Sequence, residues 1–398
     1  MVGIFSATER YKFFHKLQEN IQEANMLFVQ EVVKKKPKDM ETFNQIPITP
    51  FSNFHNIIVT KRGETLFEGN FIGIDPDLSW PENYIKDVVS HPLDAKHFIS
   101  DEIHTTRSVT KSIIGILLIN ALKDSNSQLN IESPISEVFP ELKSYSPIRV
   151  CDILNMAVPM NWDEQSIPYS DPNNPEYKMI SSDNPHVYSL KQLRNYLLED
   201  ILCDNESKKV IGKEAGYNSC MTVLSAFMVE KITGKDLITY ADDVIFKPMQ
   251  IEYTWDRLNP SGLASSSAGL RISPNGMLKI GQSLLNDWLA NNEKENTKDI
   301  LSLIRKFCIK LKGINAPYDV RYGLHSRVVY LNFCERTNPL PMVYFSGIGG
   351  NVIAMLPEEQ IVYVITGGNY TRQGIVNAAP WGTVVKDFIF PGCGLTTI

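Results

Sequence analysis

Strand-forming runs stand at the two ends of this chain, and almost everything between them reads as helix. Near the start, Asn56-Ile57-Ile58-Val59-Thr60, a Lys61-Arg62-Gly63-Glu64 turn and Thr65-Leu66-Phe67-Glu68 read as a hairpin. Strand signals return only near the C-terminus, at Ser326–Tyr330, Met342–Phe345, Asn351–Leu356 and Gln360–Thr366. The middle, from roughly 106 to 310, predicts helices near 108–123, 149–156, 189–202, 217–232, 236–246, 274–291 and 298–311. Such a layout predicts an α/β (α+β) fold: one mixed antiparallel sheet built from both termini and flanked by helices, with an all-helical domain inserted. The corresponding boundaries are 1–105 with 312–398 for the sheet domain and 106–311 for the helical domain.

Two helices frame the sheet segments. Phe13, Phe14, Leu17, Ile21, Ala24, Leu27, Phe28 and Val32 recur at three-to-four spacing, which predicts one long amphipathic helix over about 7–33. A final helix is expected near 374–389, with Trp381, Val384, Val385 and Phe388 as its buried stripe. The tract 165–188 is polar, proline-rich and aromatic, and reads as a lid or binding loop, with disorder as the alternative.

At 398 residues and 43% hydrophobic content, the chain has room for one large or two interlocked domains. A net charge of −6 argues against a nucleic-acid partner. The run Lys34-Lys35-Lys36-Pro37-Lys38 reads as a solvated helix end. Six cysteines show no paired or metal-like spacing, so reduced thiols are expected. With no basic n-region and apolar h-region at the start, and no apolar run of about eighteen residues, a cytoplasmic protein without membrane contact is expected. The seven histidines form no HExxH or close pair, and His91 and His97 flank a Pro-containing loop. Neither a metal nor a cofactor is expected, and nucleotide and G-x-S-x-G motifs are absent from the sequence.

Chemistry concentrates in Arg107-Ser108-Val109-Thr110-Lys111, which holds the only S-x-x-K and runs straight into Ile113, Ile114, Ile116, Leu117 and Leu118. If Ser108 lies in the first turn of that helix, Lys111 is one turn on and on the same face. A serine hydroxyl needs an adjacent base, and a lysine in a low-dielectric pocket gives up its proton more easily. The helix N-terminus adds N–H groups suited to an oxyanion. The plain alternative is a helix that begins with Ser and carries a surface Lys.

Three further segments follow in order. Gly216-Tyr217-Asn218-Ser219 looks like a Y-x-N element. Tyr344-Phe345-Ser346-Gly347-Ile348-Gly349-Gly350 looks like a KTG-type element. Ile148–Met156 followed by Met160-Asn161-Trp162-Asp163-Glu164 is similar to the stretch after the nucleophile helix. With Ser108 and Lys111 this set resembles the serine β-lactamase-like hydrolases: penicillin-binding proteins, class C β-lactamases, carboxylesterases of the same fold and aminohexanoate-dimer hydrolases. The resemblance runs from about 55 to 390 and implies the β-lactamase/transpeptidase-like fold. It also implies Ser108 as nucleophile, Lys111 as its base and Tyr217 as the group assisting proton transfer to the leaving group. Backbone N–H groups of Ser108 and Ile348 would form the oxyanion hole, and Phe345, Ser346, Gly347 and Ser219 would meet substrate.

Two departures shape the expected substrate. Phe345 stands where that family has a cation, and Ser219 where it has asparagine. Both lean away from penicillin recognition and toward neutral esters or amides, unless Arg271, Arg321 or Arg372 reaches in. The reading is thus a cytosolic serine hydrolase acting on a small-molecule ester or amide through an acyl-serine. The alternatives are a catalytically weak member that binds a ligand or partner, and a β-lactamase or D,D-peptidase.

Overall fold

The hairpin forms with β1 (Phe54–Lys61) and β2 (Glu64–Asn70), and its two turn residues, Arg62 and Gly63, have φ of 53° and 79°. Positive φ at both turn positions matches the right-handed twist of the strands, and glycine takes it without strain. The computed structural model describes residues 7–39, 42–43, 45–76, 93–124, 128–142, 148–197, 211–291, 299–312, 318–370 and 382–397.

The remaining strands in chain order are β3 (Ile72–Gly73), β4 (Lys96–His97), β5 (His104–Thr105), β6 (Glu214–Ala215), β7 (Tyr253–Trp255), β8 (Leu270–Ile272), β9 (Ile309–Leu311), β10 (Asp319–Gly323), β11 (Ser326–Leu331), β12 (Leu340–Gly347), β13 (Asn351–Leu356) and β14 (Ile361–Gly367). Nine of them make one sheet in the order β2-β1-β14-β13-β12-β11-β10-β9-β6. Every pairing in it is antiparallel except β6 beside β9. The first long strand therefore pairs with the last, with Ile58 opposite Val364. β13 and β14 are buried along their whole length, which is why they read as continuous apolar runs rather than alternating ones.

Among the longer helices are α1 (Ala7–Lys35), α2 (Val109–Asp124), α3 (Ser219–Thr233), α4 (Pro274–Asn291) and α5 (Ile300–Phe307). α2 packs on α3 on one side and on β11, β12 and β13 on the other. That double contact buries almost every side chain from Val109 to Leu122, so α2 is apolar all round instead of amphipathic. α4 and α5 lie against the sheet, α4 on β1, β13 and β14 and α5 on β10, β11 and β12.

Several expectations need correction. The helix expected over 298–311 ends at Phe307, and residues 309–311 form β9. Strand is not confined to the ends of the chain, since β5 to β8 lie inside or beside the helical stretch. The tract 165–188 is not one loop. Asn174 caps a helix over Pro175–Ile180, and Asn184 caps another over Pro185–Tyr196, which starts four residues before its expected position. Of the final helix, residues 374–381 with Trp381 lie outside the described residues. Val384 and Val385 are buried, and Phe388 packs edge-on against Phe51.

Candidate active site

The chain turns sharply into α2. Arg107 has φ of 51°, and the first turn is closed by short-range bonds, Val109 N–H to Thr106 O (3.2 Å), Thr110 N–H to Arg107 O (2.9 Å) and Lys111 N–H to Ser108 O (3.0 Å). The Thr110 hydroxyl also donates to Arg107 O at 2.6 Å. A non-glycine residue held at positive φ is costly and persists only where its surroundings enforce it. Here the surroundings are the end of β12: a Cβ on Gly347 would collide with Thr106 O and stand 3.0 Å from Ser108 N. Only glycine lets that strand lie flat against the serine turn.

Ser108 is half-buried and opens into a small pocket with Lys111, Tyr217, Arg327 and Ser346 on its walls. Tyr322, His325 and Tyr344 complete the lining with Ser112 and Ser326. Lys111 is 3% exposed, and its Nζ donates to Ser267 O at 2.8 Å. The same Nζ stands 5.3 Å from the centre of the Tyr217 ring, which is also edge-on to Tyr322. Burial is the largest influence on the Lys111 amine and acts to lower its pKa. The combined pull of Tyr217, Glu176 and Glu164 outweighs it, so the net direction is upward. This corrects the simple expectation that a buried lysine deprotonates easily: Tyr217, with Glu176 and Glu164 behind it, favours the ammonium.

The turn between β10 and β11 is clamped onto the helices. Leu324 and His325 both have positive φ, and Ser112 of α2 donates to His325 O at 2.7 Å. His325 Nε2 meets Ser225 Oγ of α3 at 2.8 Å. Burial, helped by the Lys111 charge, lowers the His325 pKa to about 3, so the ring stays neutral.

Ser108, Lys111, Tyr217 and Ser346 are brought together on one pocket, with Gly347 against the serine turn; Phe345 and Ser219 are not. Phe345 is 0% exposed and points into the core, because alternate residues of β12 face opposite sides of the sheet. Ser219 is equally buried, and both its N–H (2.8 Å) and its hydroxyl (2.9 Å) donate to the Glu164 carboxylate, so neither is offered to a substrate. Gly347 contributes its close approach to Ser108. Ile348 follows, half-buried, with its carbonyl accepting from Asn351 Nδ2 at 2.9 Å.

Arg327 is the residue that sequence reasoning missed. It sits on β11 opposite Tyr344, donates to Ser346 Oγ and stands 5.4 Å from the Tyr217 ring centre. The cation expected to be missing at Phe345 therefore arrives from the neighbouring strand. The arginines considered from sequence are placed otherwise. Arg271 is paired with Asp256 at 3.3 Å and Arg321 with Asp319 at 2.9 Å, while Arg372 lies outside the described residues. Among the described residues no cluster of His, Cys, Asp and Glu could hold a metal ion, and no helix is long and apolar enough to cross a membrane.

The sheet and the helices packed on it form the β-lactamase/transpeptidase-like fold, and comparison with known proteins agrees. The beta-lactamase family model matches residues 56–371, and the chain belongs to that family, whose members are serine hydrolases. No curated protein sequence matches the chain. Among solved structures it is similar to a putative 6-aminohexanoate-dimer hydrolase from Bacillus anthracis, at 15% identity, TM-score 0.52, 86% of this chain and 79% of that one. It is likewise similar to EstCE1, a hydrolase with promiscuous acyltransferase activity, at 12% identity, TM-score 0.57, 92% of this chain and 98% of that one. A third is a D-stereospecific amidohydrolase from Streptomyces sp., at 12% identity, TM-score 0.52, 91% of this chain and 98% of that one. At these identities the likeness is one of fold.

Proposed function

We propose that the chain hydrolyses small esters or amides through an acyl-enzyme on Ser108. The observation that carries this reading is the convergence of Ser108, Lys111 and Tyr217 on one pocket at the start of α2. Ser108 Oγ attacks the substrate carbonyl carbon while the neutral form of Lys111 takes its proton. The carbonyl oxygen becomes an oxyanion that the N–H groups of Ser108 and Ile348 receive, aided by the positive end of α2. Tyr217 passes a proton to the departing alcohol or amine, and water then releases the acyl group. Arg327 favours a second reading of substrate class. A guanidinium on the pocket wall suits a substrate that carries a carboxylate, which keeps a β-lactamase or D,D-peptidase activity open beside plain ester hydrolysis.

Treatment with a fluorophosphonate, followed by intact-mass and peptide mapping, is expected to place one adduct on Ser108. Ser108→Ala is expected to lose both the adduct and at least about a thousandfold of hydrolysis on an ester and amide panel. An adduct on another residue, or hydrolysis surviving the substitution, overturns the reading.

A further inference from the structure

We infer that His55 and His104 form a positioning pair for Ser108, joined by a hydrogen bond in which His55 Nδ1 donates to His104 Nε2. The effect on rate rests on the reading of Ser108 as nucleophile; the bond itself does not.

From β5 (His104–Thr105) the chain enters the serine turn through Thr106 and Arg107. This strand belongs to a second sheet, in the order β5-β8-β7, and Thr106 donates both its N–H (3.2 Å) and its hydroxyl (2.7 Å) to Leu270 O of β8. His55 comes from β1 of the large sheet and is the extra residue of a bulge, since Phe54 stands opposite Gly367 and Asn56 opposite Thr366. A bulge re-aims the side chain it carries. Here the ring lies flat on Phe98, with centres 3.6 Å apart and planes at 5°, and His55 Nδ1 meets His104 Nε2 at 2.7 Å. Both histidines are buried, and the contact ties one sheet to the other. They are 49 residues apart, so no short stretch of sequence holds the pair.

The direction of the bond follows from counting protons. The two rings make three polar contacts: His55 Nε2 with Ile74 O (3.2 Å), His55 Nδ1 with His104 Nε2 (2.7 Å) and His104 Nδ1 with Thr105 O (2.8 Å). Burial is the largest influence on both rings and lowers both pKa values, outweighing the Asp75 carboxylate that faces His104. Each ring is therefore neutral with one N–H, and two protons cannot fill three contacts. Protons on both outer nitrogens would leave two lone pairs facing each other at 2.7 Å. The contact that goes without is the longest, at Ile74 O, which already accepts from Asn53 Nδ2 at 2.8 Å. Both rings are then in the Nδ1–H form: His55 donates to His104, and His104 donates to Thr105 O. That last bond orients the peptide joining Thr105 to Thr106. The segment leading to Ser108 is thus braced by β1 through the pair, by β8 at Leu270 and by β12 at Gly347.

Two-bond ¹H–¹⁵N correlation spectra read the tautomers directly, with the two rings assigned by their loss in His55→Asn and His104→Gln. In the wild type both are expected in the Nδ1–H form. The consequence for Ser108 is read as the rate of fluorophosphonate labelling. In His104→Gln the amide oxygen takes the place of Nε2 as acceptor, and labelling should keep most of the wild-type rate. In His104→Phe a ring of similar shape has no acceptor, so the packing stays and the bond goes. Labelling should then slow by about ten- to a hundredfold, the upper figure being the cost of a misplacement near 1 Å. Equal rates in the two variants, or a wild-type spectrum with either ring in the Nε2–H form, overturns the inference. The spectrum alone decides if His104→Phe fails to fold. If the wild type takes no label while both rings are in the Nδ1–H form, the hydrolase reading fails and the bond stands.

Discussion

Arg327 and Glu164 announce themselves differently from Ser108 and Lys111. Ser108 and Lys111 are three apart on one helix, so a short sequence window contains their relationship. Arg327 meets Ser346 only because β11 lies beside β12 in a register that sets Arg327 opposite Tyr344. No window short enough to scan holds both residues. Glu164 reaches Ser219 across 55 residues because a loop packs against the start of α3. The placement of Arg327 bears on the substrate, because the expectation of neutral esters rests on a pocket without a cation. The guanidinium stands 5.4 Å from the centre of the ring of Tyr217, the residue proposed to hand a proton to the leaving group. A carboxylate on the leaving group is therefore expected to gain from it. The comparison is 3-carboxyphenyl butyrate against its methyl ester. In Arg327→Met the ratio of their kcat/KM values should fall by at least about tenfold, the loss expected when a charged hydrogen bond of roughly 1.5–3 kcal/mol disappears. An unchanged ratio would mean that Arg327 serves Tyr217 and does not read the substrate.

Elements were legible where periodicity had length to work with. α1 and α4 span 29 and 18 residues, and their apolar spacing identified both. β6 to β9 have two or three residues each, too few to show a period of two, and they exist because neighbouring strands complete their hydrogen bonds. The short helix Pro175–Ile180 was hidden by the polarity of its tract, although Asn174 followed by Pro175 is a helix-start signal. Of the site, the motif order was readable, but the side to which each motif residue points was not. Phe345 faces the core, whereas Ser346, one residue on, faces the pocket. The junction of β12 with the serine turn is where element packing becomes chemistry. Gly347→Ala would push β12 away from Thr106 and Ser108 N, or rotate the turn, and displace Ser108, the proposed nucleophile, by a fraction of an ångström or more. The expected cost is about a hundredfold in kcat, the scale of a misplacement near 1 Å, with little change in far-ultraviolet circular dichroism. Full activity in Gly347→Ala would show that the turn does not depend on this contact.

At the scale of the whole molecule, the two ends of the chain close one sheet. β1 is hydrogen-bonded on one edge to β2 and on the other to β14, so the strand nearest the start needs the strand nearest the end. α1 spans this closure from outside. Phe14 stacks on Phe67 of β2 with ring centres 5.2 Å apart, and the same ring lies against Gly392 near the C-terminus. Lys61 adds a bond from its Nζ to Cys393 O at 2.7 Å. The polar pin of this latch is Asn25, 2% exposed, whose Nδ2 donates to Phe54 O at 2.7 Å and to Ile72 O at 2.8 Å. Those carbonyls flank the hairpin on either side; the bond to Ile72 O is part-buried, but the bond to Phe54 O is buried, and with Asn25 removed Phe54 O loses its side-chain donor away from water. Unsatisfied buried acceptors of this kind cost about 1–3 kcal/mol. Asn25→Ala is therefore expected to lower the midpoint of urea unfolding by that free energy with the slope unchanged, since the surface exposed on unfolding stays the same. Met26→Ala, at a neighbouring position that is 62% exposed, should shift stability by no more than about 0.5 kcal/mol. If the two substitutions cost the same, α1 is held on the sheet by its apolar face alone, and Asn25 has no part in joining the ends of the chain.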